Sequence, residues 1–177
     1  MIGGWTVAAA AQASFDPVEE TISALAAEPA ASPWIMTTGL AVTGACHVVT
    51  AWGLRPAQPA ARVLLAVGGV ATALVAALPV SSRPAAHGAA AAVAFVALTA
   101  WPAPAGGAAA PGRTGRSGVW ATAVLSLLLG WFVLELQQVS PDRGATTGLA
   151  ERALAGAQSL WPLVAVLTVR RRLSRRP

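Results

Sequence analysis

Eight residues of this chain have types and positions that could do chemistry: Asp16, Glu20, Ser23, His87, Glu135, Glu151, Arg152 and Gln158. They come from five separate stretches of an otherwise apolar sequence. Asp16, Glu20, His87, Glu135 and Glu151 are the candidate catalytic groups, and Ser23, Arg152 and Gln158 are candidate binding groups. A carboxyl such as Glu135, Glu151 or Asp16 can give a proton, and His87 can take one. That set would suit an intramembrane enzyme acting on a lipid or isoprenoid. A single titrating acid, with Glu135 the best placed, would instead serve a small proton-coupled transporter. Each residue also has a plainer structural reading. Asp16 and Glu20 can cap a helix or face water, and His87 can bond a loop at an interface. Glu151 close to a helix start is favourable through the helix dipole alone. Glu135 resists such a reading, because an acid one turn inside an apolar helix is costly unless it snorkels, protonates or finds a partner. Gln158 lies two turns beyond Glu151 on the same helical face, which turns that face inward. His47 stands apart, deep in an apolar run beside Cys46, and is expected to be a neutral histidine bonded to a neighbouring helix.

Composition says what must hold these residues. The chain has 177 residues, of which 55% are hydrophobic and 11% charged; soluble domains carry about 25% charged residues. The deficit and the long apolar runs indicate a multi-pass membrane protein. The net charge of +5 comes from arginine alone, since lysine is absent. Nucleic acid is excluded as a partner because the arginines sit between and after apolar segments, where they report membrane topology. Abundant Ala, Gly and Arg with no Lys, Asn or Tyr suggest a GC-rich bacterial genome. The single Cys46 rules out an intrachain disulfide. HExxH, paired CxxC, P-loop and GxGxxG patterns do not occur, so zinc-protease, nucleotide and dinucleotide readings lack support, and neither a metal nor a cofactor is expected.

The expected fold class is an all-α membrane protein, with about six transmembrane helices in one domain spanning 1–177. The helices are expected at about 1–13, 34–52, 63–80, 85–101, 118–138 and 149–169. Residues 1–13 are short for a span, and Ala11-Gln12-Ala13 resembles a signal-peptidase site, but no basic region precedes it. The segment is therefore read as a first helix that stays attached, short or begun from a late start codon. Asp16 and Pro17 make a capped helix start, Glu19 completes a capping-box spacing, and Val18, Ile22 and Leu25 fall on one face. This predicts a short amphipathic helix over about 17–27, lying on the outer membrane surface. Arg55, Arg62, Arg113, Arg116 and the basic tail 170–177 follow even-numbered helices. The positive-inside rule then puts those segments and both termini in the cytoplasm of a plasma-membrane protein. The opposite loops carry Asp16, Glu19, Glu20, Glu28 and Asp142. A short 139–148 connection makes the last two helices antiparallel neighbours, which predicts a Glu135–Arg152 pair.

The stretch Pro17-Val18-Glu19-Glu20-Thr21-Ile22-Ser23-Ala24-Leu25 resembles bacterial membrane proteins grouped as domain of unknown function 998, with Glu20 where an Asp is usual. The resemblance continues through His47, the Pro84-to-His87 turn and the Glu151-Arg152 helix start, covering nearly the whole chain. It implies a bundle of about six helices, with this stretch on the outside after the first helix. The family implies no activity. The leading expectation is a binding or supporting membrane component with an outward-facing polar cavity; the enzyme and the transporter are its rivals. Membrane lipids are the expected partners, with a membrane protein or a second copy of the chain as further candidates.

Overall fold

The structure, a computed structural model, describes residues 1–105, 113–141 and 143–174. Most of the Pro/Gly-rich loop, Asp142 and the last three residues of the basic tail lie outside the described residues. Among the described residues every regular element is helical. The order is α1 (Ile2–Ala10), a 3₁₀ turn (Ser23–Ala26), α2 (Pro33–Gly53), α3 (Pro59–Ala77), α4 (Pro84–Ala100), α5 (Pro102–Ala105), α6 (Arg113–Leu136) and α7 (Thr147–Leu173). Proline sets several boundaries. Pro33, Pro59 and Pro84 each open a helix at a position where the missing N–H is harmless. Leu78-Pro79 ends α3 earlier than the expected residue 80, since a residue before proline avoids the helical region. At the end of α6, Gln138 has φ 56°. Val139 N–H returns to Leu134 O and Gln138 N–H to Glu135 O, the bond pair that closes a helix through a left-handed residue.

Five helical segments are long and apolar enough to cross a membrane: Pro33–Gly53, Pro59–Ala77, Pro84–Ala105, Arg116–Leu136 and Thr147–Arg171. This is a multi-pass helical membrane protein. The expected first helix is present and short: α1 has 9 residues, about 14 Å of helix against a hydrocarbon core of about 30 Å. It packs on the first half of α2, where Gly4 and Gly39 bring the two backbones together, and its Trp5 ring reaches Gly156 of α7.

The expected surface helix over 17–27 is also absent. Residues 14–31 form a strap of turns and one 3₁₀ segment. Two of its apolar residues turn into the bundle. Ile22 and Leu25 are 2% and 1% exposed, within a cluster that includes Ala8, Met36, Leu40, Val75 and Ala155, whereas Val18 is 40% exposed.

The tightest helix contact joins α2 and α3. A methyl group on Gly44 would meet the Gly69 carbonyl oxygen and come within 2.8 Å of Ala73 N. α4 packs on α3 through Leu98 over Gly68, and on α6 through Phe95 and Phe132, whose ring centroids are 5.3 Å apart. α7 joins α6 through Leu125, Phe132, Ala150 and Leu154. One end of the bundle carries the strap and the loops before α4 and α7. The other is filled by Leu54, Leu65, Leu98, Trp101 and Trp161. Trp34 and Trp52 are exposed at the two ends of α2, where aromatic side chains meet the membrane–water boundaries.

A cavity beneath the strap

The strap is held through its backbone. Pro17, Val18, Glu19 and Glu20 present four successive carbonyls to the start of α7. Leu149 N–H donates to Val18 O at 2.9 Å and Gly148 N–H to Glu19 O at 3.2 Å. Arg152 Nη1 donates to Pro17 O at 2.9 Å and Glu20 O at 2.7 Å, and to Gly148 O in its own helix. The first turn of α7, which has no partner within its own helix, is thereby satisfied. Gly148 has no side chain because a methyl group there would strike the Glu20 carbonyl. The Arg152 guanidinium also sits 5.3 Å from the Phe15 ring centroid, a cation–π contact. Asp16 accepts from Val18 N–H at 2.7 Å, and Glu20 Oε1 accepts from Asp16 N–H at 2.9 Å. The expected capping role of Asp16 thus survives as a local turn, with Glu20 rather than Glu19 as its reciprocal partner.

Two further side chains fix the inner edge of the strap. Glu151 Oε2 accepts from the Ile22 amide in a buried bond. His87 Nδ1 lies 2.7 Å from Leu78 O, and its Nε2 lies 3.0 Å from Ser23 Oγ. A carbonyl only accepts, so Nδ1 carries the proton, and in a neutral ring Nε2 takes the Ser23 hydroxyl hydrogen. His87 is therefore a clamp between the α3–α4 turn and the strap.

Beneath this layer lies a partly open cavity. Its polar wall combines Ser23, Glu151, Gln158, Ser159, Thr43, Thr72 and His47; its apolar wall includes Leu40, Val75, Ala94 and Leu98. Glu151 and Gln158 do share an inward face of α7. Gln158 Nε2 donates to Phe95 O and to Thr99 Oγ1, each at 3.0 Å. Pro162 interrupts α7 one turn later and cannot supply the N–H that the Gln158 carbonyl would normally receive. Met1 lines the cavity instead of standing at a bundle end, so the structure assigns the N-terminus to neither side.

The eight sequence candidates divide into separate groups. Asp16, Glu20 and Arg152 build the strap anchor, Ser23 and His87 form the clamp, and Ser23, Glu151 and Gln158 reach the cavity. Glu135 joins none of these. It is 2% exposed, and its Oε2 accepts from Thr146 N–H at 3.2 Å, with Ser140, Thr146 and Trp131 side chains also turned on it. The expected Glu135–Arg152 pair is corrected: the carboxylate fastens the turn between α6 and α7, while Arg152 is committed to the strap carbonyls. His47 moves the other way. It shares the cavity with Glu151, and its buried Nδ1 has no hydrogen-bond partner, contrary to the expected bond to a neighbouring helix.

A family model matches residues 1–168. The chain belongs to that family, Protein of unknown function (DUF998). The DUF998 match takes in the strap, the clamp, the cavity and nearly all of α7. No curated protein and no solved structure matches the chain.

Thr43, Thr72, Ser159 and His47 are the cavity residues that sequence reasoning did not assemble. Two signals were available. Thr43 and His47 stand one turn apart on the same face of α2, and Gln158 lies four residues before a proline inside a helix of membrane-spanning length.

Proposed function

We propose that this integral membrane protein is a binding or supporting component that holds a small amphipathic molecule in the cavity under the strap. The observation that carries this reading is the union, around one cavity, of Glu151, Gln158 and an unpartnered His47 with an apolar wall. Ligand sites are concave and mostly apolar, with a few convergent polar groups. Two details favour binding over the rival activities. His87, the expected base, spends both ring nitrogens on structural bonds. Beyond His47 the bundle is filled by Leu65, Leu98 and Trp101, an apolar floor that supports a dead-ended site over a transport path. Calorimetric titration of the full-length protein in nanodiscs, with empty nanodiscs as baseline, tests the reading. Saturable binding is expected for at least one of octylamine, octanol and octanoate, and Ala94→Leu, which adds bulk to the cavity wall, should abolish it. No saturable binding of any of the three overturns the proposal.

The same reading places the strap end outside the plasma membrane and the arginine-rich end in the cytoplasm. Arg55, Arg62, Arg116, Arg170 and Arg171 lie toward the end opposite the strap, and Asp16, Glu19, Glu20 and Glu28 belong to the strap itself. In a Cys46→Ser background, Ser14→Cys should react with an impermeant thiol reagent on intact cells, and Ser174→Cys should not. Labelling at position 174 reverses the assignment.

A further inference from the structure

The cavity has an unbalanced hydrogen-bonding character. Its hydroxyl hydrogens are already used within their own helices: Thr43 donates to Gly39 O at 2.7 Å, Thr72 to Gly68 O at 2.8 Å and Ser159 to Ala155 O at 2.7 Å. The Gln158 amide spends its hydrogens on Phe95 O and Thr99 Oγ1. What these groups retain is oxygen lone pairs. Glu151 adds more, since a carboxylate offers about four acceptor positions and the Ile22 amide is the bond it receives from the strap. Arg152, next in sequence, is turned to the strap carbonyls. The donors left on the wall are the His47 ring and the α-amino group of Met1, which lies within electrostatic reach of His47.

Resting on the binding reading above, we propose that the cavity's ligand is a primary amine with a short aliphatic tail, its ammonium held by Glu151 and the surrounding acceptor oxygens. An ammonium brings three donors and a positive charge, matching a wall of acceptors with one acid. An anionic head would meet lone pairs and a carboxylate, with only the His47 ring and the Met1 α-amino group as donors, and a neutral alcohol brings one donor. A divalent metal calls for several hard anionic ligands; the wall supplies one carboxylate, and among the described residues no three His, Cys, Asp or Glu side chains gather around a common point. The tail would lie along Leu40, Val75, Ala94 and Leu98.

The test compares octylamine, octanol and octanoate on the full-length protein in nanodiscs of neutral lipid. Octylamine should bind about 10-fold or more tighter than octanol, as a charge-assisted contact does over a neutral one. Glu151→Gln keeps an acceptor for the Ile22 amide and should erase that preference. The double variant Thr72→Val, Ser159→Ala removes two acceptor oxygens and leaves Glu151 in place, and should weaken the amine several-fold more than the alcohol. Equal binding of amine and alcohol, or an amine preference that survives in both variants, overturns the amine assignment and leaves the cavity reading standing. If Glu151→Gln does not fold, the double variant decides alone. Failure of all three probes to saturate removes the cavity reading itself.

Discussion

Gly44→Leu is expected to yield no folded protein. α2 and α3 approach at this residue so closely that even a methyl group would meet the Gly69 carbonyl oxygen and come within 2.8 Å of Ala73 N. Both obstacles are backbone, so no side chain can swing aside. The reciprocal position is as tight: a methyl on Gly69 would lie 2.7 Å from Gly44 O and 2.9 Å from the His47 Cβ. Overpacking a filled interior costs about 1–3 kcal/mol for added methylenes, and Gly44→Ala should fall at or above the top of that range. Leucine adds three more carbons and forces the helices apart, which also displaces His47 and Thr72 from the cavity wall. The measurement is the monodisperse fraction recovered after detergent extraction. Gly88→Ala and Gly130→Ala are the controls, since nothing lies within 4 Å of a methyl group at either site. Comparable recovery of Gly44→Leu and the controls would show that α2 and α3 are not in contact there.

Arg152→Gln should loosen the strap and destabilise the protein by about 2–3 kcal/mol, the scale of losing hydrogen bonds made by a charged donor. Two of its bonds cross from α7 to Pro17 O and Glu20 O, and the Phe15 contact goes with them. Arg152→Lys should recover only part of the loss. A single ammonium cannot reproduce a planar fork that spans several carbonyls and stacks on a ring. Denaturant unfolding gives the stability. Labelling of Ser23→Cys, a position half-buried in the folded strap, gives the loosening. Unchanged unfolding and unchanged labelling in Arg152→Gln would mean that the strap is held by other groups.

Much of the frame was legible in the sequence because few forces compete there. Apolar length marks α2, α3, α4, α6 and α7, and Pro33 and Pro84 mark starts that an apolar count alone would blur. The strap was misread for a definite reason. Val18, Ile22 and Leu25 do follow a helical period, but a helix needs its carbonyls for its own amides. Here the carbonyls of residues 17–20 are taken by α7, more than 100 positions away, and no local pattern announces that. The Glu135–Arg152 pair failed similarly. The two helices are neighbours, yet the carboxylate found nearer partners in its own turn, at Thr146 and Ser140. For the candidate site, sequence placed Glu151 and Gln158 on an inward face. It left out His47 because position along a helix says nothing about which side borders a gap.

The join between strap and α7 also constrains how the chain can be assembled. Arg152 and Pro17 are 135 residues apart, and Glu151 and Ile22 are 129 apart. A ribosome delivers the strap well before its anchor. Until α7 inserts, four strap carbonyls and the Ile22 amide lack the partners they have in the finished fold, and the space that becomes the cavity lacks its α7 wall. Contacts this distant in sequence form late and leave the unfinished chain exposed while it waits. The nascent bundle of α1–α4 is thus an open vessel during synthesis, closed only when α7 arrives.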